Sequence, residues 1–359
     1  MSRFLSEDLR ALDPYVPGEQ PRDRKYIKLN TNESPYPPPE AVLKAISRQN
    51  MEDLRLYPDP DCTRLKETIA DRYLLKPENI YVSNGSDDIL NFAFMAFAGR
   101  GGRAVFPEIS YGFYKVFAGR NGVRAVTVPL TDDFSIRPSD YYNADGMVVI
   151  ANPNAPTGLA LEPEDICSIL DANRDNVVLI DEAYVDFGAR SSVSLTDSYD
   201  NLLVVRTFSK SRSMAGARLG FAMASPALID DLNRIKFSTN PYDVNRLTQT
   251  AGIAAIESDS YFEKNCKAVA ATRERVAAEL KKRGFEVIPS VANFLFVRHP
   301  SVSGQDFYEK LREAGILVRH FGDEKIRDYN RITIGTDREM DIFLEAADAI
   351  IKGGSDEKK

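Results

Sequence analysis

What most constrains this chain is a series of short, mostly apolar segments: Ile80–Val82, Arg103–Phe106, Val123–Val128, Gly146–Ile150, Val177–Ile180, Leu202–Val205 and Gly220–Met223. Most are rich in β-branched residues and lack polar alternation, the pattern of strands buried on both faces. Helical stretches such as Asp87–Ala98 and Pro163–Asn173 fall between them. This βαβα order predicts an α/β fold with a mainly parallel sheet covered by helices on both sides.

Past Asn245 the texture changes. Phe262, Cys266, Val269, Val276 and Leu280 recur near helical spacing and predict a long amphipathic helix ending before Gly284. Short strands are expected at Glu286–Ile288, Phe294–Val297, Leu317–Arg319 and Arg331–Ile334, then a helix from Arg338 to Ile351. The tail GGSDEKK has no pattern that would order it. The first forty residues, with PYVPGEQP and NESPYPPPE, read as an extended arm leading into a helix near Glu40. The expected division is a large domain over residues 40–248. The arm (1–39) and residues 249–359 would form a smaller α+β unit.

Composition removes several classes of function. With 46 Lys and Arg against 53 Asp and Glu, the net charge of −7 argues against a nucleic-acid surface. No segment approaches the ~20 apolar residues of a membrane span, and MSRFLSEDLR lacks the apolar centre of a signal peptide. Cys62, Cys167 and Cys266 are odd in number and far apart, as expected of a cytoplasmic protein without a disulfide framework. Two histidines, His299 and His320, offer no zinc-ligand spacing, so no metal is expected. Chemistry must rest on Lys, Asp, Tyr, Arg and Asn.

Ligands of open parallel sheets bind beyond the carboxyl ends of the strands. Asp181-Glu182-Ala183-Tyr184 follows one strand and Arg206-Thr207-Phe208-Ser209-Lys210 the next, with Arg218 eight residues beyond the lysine. A third strand leads into Asn152-Pro153-Asn154-Ala155-Pro156-Thr157-Gly158. An amine taken out of water forms a Schiff base with an aldehyde. A carboxylate facing a pyridine nitrogen keeps that ring an electron sink, and an arginine beside small hydroxyl residues suits a phosphate. These are the needs of pyridoxal 5′-phosphate. Ser83-Asn84-Gly85-Ser86-Asp87, a glycine turn opening a helix, is a further anion site by its free N–H groups. GRGGR at Gly99–Arg103 precedes a strand instead of following one, so it reads as a turn.

On NPNAPTG, DEAY and TFSKSRSMAGARLGF the chain resembles the fold-type I pyridoxal-phosphate-dependent aminotransferases. On LDPYVPG, LNTNESPY, RLYPDP, SNGSDD, PYDVN and RITIGT it resembles the histidinol-phosphate aminotransferases among them, from about residue 10 to residue 350. The resemblance implies that Lys210 carries the cofactor, Asp181 pairs with its pyridine nitrogen and Tyr184 donates to its phenolic oxygen. It assigns Gly85, Ser86, Asp87, Thr207, Ser209 and Arg218 to the cofactor phosphate and Tyr111 to stacking on the ring. Tyr57 would cross a homodimer interface to the partner's phosphate. The substrate residues would be Tyr15, closing over the site, Asn32 of NESP, where NENP is more frequent, and Arg319 with Arg331, gripping a phosphate. The family has Asn where this chain has Ala155. Either Asn154 substitutes through a shifted turn, or Tyr184 makes that contact alone.

The implied reaction interconverts L-histidinol phosphate and 2-oxoglutarate with imidazole-acetol phosphate and L-glutamate. An aromatic amino-acid aminotransferase or a threonine-phosphate decarboxylase on the same scaffold is the alternative. A ligand-sensing transcriptional regulator would need a DNA-binding module before the arm, and about thirty proline-rich residues leave no room for one.

Overall fold

In the computed structural model, residues 4, 10, 12–15, 17–46 and 51–356 are described. Their strands are β1 (Ile27–Lys28), β2 (Ile80–Ser83), β3 (Arg103–Pro107), β4 (Arg124–Val128), β5 (Met147–Ala151), β6 (Val178–Asp181) and β7 (Leu202–Thr207). They continue as β8 (Gly220–Ala224), β9 (Glu286–Ile288), β10 (Phe294–Arg298), β11 (Ile316–Leu317), β12 (Arg319–His320) and β13 (Asn330–Thr333). The main sheet runs β2-β8-β7-β6-β5-β3-β4. Its pairs are parallel from β7 through to β4, and β8 is antiparallel to both β7 and β2.

Every residue of β5, β6 and β7 is buried, as unbroken apolar runs require. Alternate residues serve opposite layers. Val148, Ile150, Val178 and Ile180 pack with Ile166, Ile169 and Leu170 of the helix Pro163–Asp171, while Met147, Val149 and Leu179 pack with Leu90 and Phe117. The edge strand β4 departs from two-sided burial, because Arg124, Ala125 and Thr127 face solvent where, among the described residues, no further strand covers them. The helix expected over Asp87–Ala98 spans Ser86–Ala93 and continues as a π-helical turn, Phe94–Ala98.

A second, antiparallel sheet runs β12-β13-β10-β9. Phe262, Val276 and Leu280 of the helix Asp259–Lys282 join Leu295, Ile332 and Phe343 in its core. The arm belongs to this core as well. β1 pairs in parallel with β11, the Leu29 N–H donates to the Leu317 carbonyl (2.8 Å), and the Leu29 carbonyl accepts from the Thr333 N–H (2.9 Å). The single strand expected at Leu317–Arg319 is therefore two, one pairing with the arm and one with β13, and the chain breaks at Val318 to serve both. The last helix runs Asp337–Asp356, past the expected end at Ile351, since each added residue of a docked helix gains a further backbone bond. Residues 357–359 of the expected tail lie outside the described residues.

Candidate active site

The ladder pairs Ala151 with Asp181 and Asp181 with Val205, so the ends of β5, β6 and β7 lie side by side. The loops beyond them line a cavity of about 330 Å³ whose walls include Ser86, Asp87, Tyr111, Asp181, Tyr184, Thr207, Ser209, Lys210 and Arg218. A second cavity of about 260 Å³ adjoins it, with Tyr15, Asn32, Arg319 and Arg331 in its wall. Thr31, Tyr111, Ala155, Tyr184 and Lys210 line both. The lysine stands at the seam.

Asp181 lies on the floor of the first cavity, 5% exposed. Burial pushes its carboxyl up to about 6, against the opposing pull of the Tyr114 hydroxyl, which donates to Oδ2 at 2.8 Å. The Ala183 N–H donates to Oδ1 (3.2 Å). Tyr114 was not singled out from the sequence.

Gly85 (φ 90°) turns the chain into the helix Ser86–Ala93, whose first N–H groups have no intrahelical partner. A Cβ at Gly85 would fall 2.8 Å from Arg218 Nη2, so glycine keeps this cup open. Arg218, itself left-handed (φ 54°), donates to Asp87 Oδ2 at 3.2 Å, and the Tyr111 hydroxyl donates to Asp87 Oδ1 at 2.8 Å. The Asp87 carboxylate is thus spent on its neighbours, leaving its backbone N–H for an anion. Thr207 Oγ1 accepts from the Ser209 N–H (3.1 Å). Lys210 Nζ donates to the Thr31 carbonyl (3.0 Å) and lies 5.8 Å from the Tyr184 ring centroid.

Arg206, the first residue of the Arg206–Lys210 run, ties these loops together. Buried at 5% exposure, it donates to Asp186 and faces Glu182 at 4.0 Å. Ser211, next to Lys210, donates to the other oxygen of Asp186 (2.5 Å). The loop carrying Asp181 and the loop carrying Lys210 are thereby locked together.

In the second cavity Arg319 and Arg331 are direct partners across the β12–β13 ladder. Burial, with Arg319 nearby, holds the Arg331 guanidinium below its ordinary range. Arg331 Nη2 donates to the Asn30 carbonyl (3.0 Å), and among the described residues nothing pairs with its Nε. Two cations facing one hollow suit an anion. Tyr15 stacks on Phe113 with ring centroids 4.2 Å apart, and the Asn32 amide donates to the Tyr184 hydroxyl oxygen (3.0 Å).

Two residues of the sequence reading stand apart. Asn154 accepts from Ser110 Oγ (2.7 Å) and donates to the Ile109 carbonyl (3.0 Å) and to Thr157 Oγ1 (3.3 Å). Its amide is consumed by the 109–110 segment and by Thr157, and Ala155 occupies the cavity wall instead, so a shifted turn does not bring Asn154 to the site. Tyr57 is 78% exposed, stacked on Tyr242 at 4.5 Å, and lines neither cavity of its own chain. The thiols of Cys62 and Cys266 are pushed up by burial to about 11 and about 12, far from reactive thiolates. Among the described residues no helix is long and apolar enough to cross a membrane.

Residues 24–346 match the family model described as aminotransferase class I and II. A histidinol-phosphate aminotransferase of Brachyspira hyodysenteriae is 51% identical over 353 residues, covering 98% of this chain and 100% of that protein. One from Clostridium acetobutylicum is 48% identical over 345 residues, covering 96% and 98%. The solved structure of histidinol-phosphate aminotransferase from Sinorhizobium meliloti, in complex with pyridoxal-5′-phosphate, superposes with a TM-score of 0.90 at 26% identity, covering 98% of this chain and 99% of that one. The chain belongs to the class I and II aminotransferases and, within them, to the histidinol-phosphate aminotransferase family.

The raised Asp181 carboxyl has a consequence for stability. The folded chain holds a proton up to about pH 6 that the unfolded chain releases near pH 4. Stability of the cofactor-free protein therefore falls as pH rises through that window, by about 3 kcal/mol. Asp181→Asn should melt a few degrees above the parent at about pH 7, with the advantage shrinking toward about pH 4. Identical melting curves across the window would show that Asp181 carries no burial penalty.

Proposed function

We propose that this chain is a pyridoxal-phosphate-dependent transaminase. It would exchange the amino group of L-histidinol phosphate with 2-oxoglutarate, giving imidazole-acetol phosphate and L-glutamate. The observation that carries the reading is the two-cavity arrangement, an acid and an anion cup on one side of Lys210 and a pair of half-buried arginines on the other. The cofactor fits the residues present. Gly85 leaves room for a phosphate beside Arg218, the helix opening at Ser86 offers free N–H groups, and Asp181 waits buried at the opposite end. Ser86, Asp87 (by its N–H), Thr207, Ser209 and Arg218 would hold the phosphate, Asp181 the ring nitrogen, Tyr111 the ring face and Lys210 the aldehyde.

Once bound, the ring supplies an electron sink beside the substrate's Cα. This chain's residues do the rest. Asp181 keeps the ring nitrogen protonated, and a carboxylate under the shelter of Tyr114 does so without water competing. Lys210 Nζ, at the seam, takes the proton from the substrate's Cα and returns it on the cofactor side as general base and then acid. Arg319 and Arg331 bind the substrate phosphate, and the same pair receives a carboxylate of glutamate in the second half of the exchange.

We further read the working form as a cytoplasmic homodimer in which Tyr57 serves the partner's cofactor phosphate. Its exposure supports this, as does that of Leu43, Leu54, Leu56 and Tyr242, between 42% and 56% exposed. Take Lys210→Ala and Tyr57→Ala subunits, each poor as a homodimer at limiting cofactor. Mixed dimers should regain up to one working site, because one site joins an intact Lys210 to an intact Tyr57. Activity no higher than that of the Tyr57→Ala parent would place Tyr57 outside the partner's site.

The substrate assignment is tested by Arg319→Ala. Losing a charge-assisted partner costs about 2–5 kcal/mol, so kcat/KM for histidinol phosphate should collapse while that for unphosphorylated histidinol changes little. Equal losses on both would mean that the arginine does not read phosphate, and an aromatic aminotransferase or a threonine-phosphate decarboxylase would then be the better reading.

A further inference from the structure

Thr333 ends β13 facing the arm, buried at 2% exposure. Its Oγ1 accepts the backbone N–H of Asn32 (3.0 Å) and donates to Asn32 Oδ1 (2.9 Å). Asn32 is held in a left-handed conformation (φ 55°), 1% exposed, with its own carbonyl accepting from Asn293 Nδ2 (3.0 Å). A buried hydroxyl that already accepts one N–H must place its single proton on an acceptor, and Oδ1 is the acceptor in reach. That choice orients the amide. Oδ1 faces Thr333, so Nδ2 faces Tyr184 and donates to its hydroxyl oxygen (3.0 Å).

The direction of that last bond matters. With the amide reversed, the Tyr184 proton would be spent on Asn32 Oδ1. As it stands, the tyrosine oxygen accepts, and its own proton is left to point into the cavities it lines. Ala155, which lines the same two cavities, has no side-chain donor to offer.

We propose that Thr333 is a positioning residue. Through Asn32 it commits the Tyr184 proton to the phenolic oxygen of the cofactor, the contact that Ala155 leaves to Tyr184 alone. The inference rests on the reading of the site as one for pyridoxal phosphate.

Thr333→Val keeps the side chain's shape and removes its hydroxyl. In the holoenzyme, the pH midpoint at which the bound cofactor's absorption changes should rise by about 0.5–1 unit, since the ring oxygen loses a hydrogen bond. The cofactor-free variant should bind pyridoxal phosphate about three- to tenfold more weakly. Thr333→Ser should restore both values. In a Tyr184→Phe background, Thr333→Val should move neither further, because the interaction has lost its endpoint. Should the valine variant not fold, Thr333→Ala carries the same expectation. An unmoved midpoint and affinity, or an equal shift without the tyrosine hydroxyl, would overturn the relay while leaving the cofactor reading in place. A parent protein that takes up no pyridoxal phosphate would overturn both.

Discussion

The site hangs on the ion cluster of buried Arg206 and Glu182 with half-buried Asp186. Parallel pairing brings the ends of β6 and β7 together, but two irregular loops follow, and nothing in strand geometry sets their relative position. Arg206 does so from one strand by holding acids of the other strand's loop, and Ser211 closes the connection beside Lys210. Buried charges of this kind contribute little net stability, yet removing one partner strands the other in a low-dielectric interior. The cluster therefore acts as a register device: it makes the separation of Asp181 and Lys210 a fixed quantity.

Around that frame, the chain holds several groups in states that folding alone disfavours. Asp181 is buried with its carboxyl near 6. Arg331 is half-buried opposite another arginine, with its Nε unpaired among the described residues. Asn32 and Arg218 sit in the left-handed region. Asp181 and Arg331 are the groups that a ligand with a basic ring nitrogen and an anionic end would relieve.

The central strands and the strand-end acids and lysine are legible in the sequence, because unbroken apolar runs and the residues after them are local signals. What was not legible is non-local. β1 is two residues long and exists through its pairing with β11, nearly the whole chain away, so no periodicity announces it. Val318 breaks a β-like run because two sheets compete for it. Arg206 lies just past the apolar run read as ending at Val205, where the ladder continues to Thr207. Asn154 looked available because its amide partners, Ile109 and Ser110, are more than forty residues away.

The central claim is that Lys210 carries an aldehyde cofactor between the two cavities, and borohydride reduction tests it most directly. Purified protein incubated with pyridoxal phosphate should turn yellow, and reduction should leave a phosphopyridoxyl mass on the peptide containing Lys210. A label on another lysine, or none at all, would contradict the account.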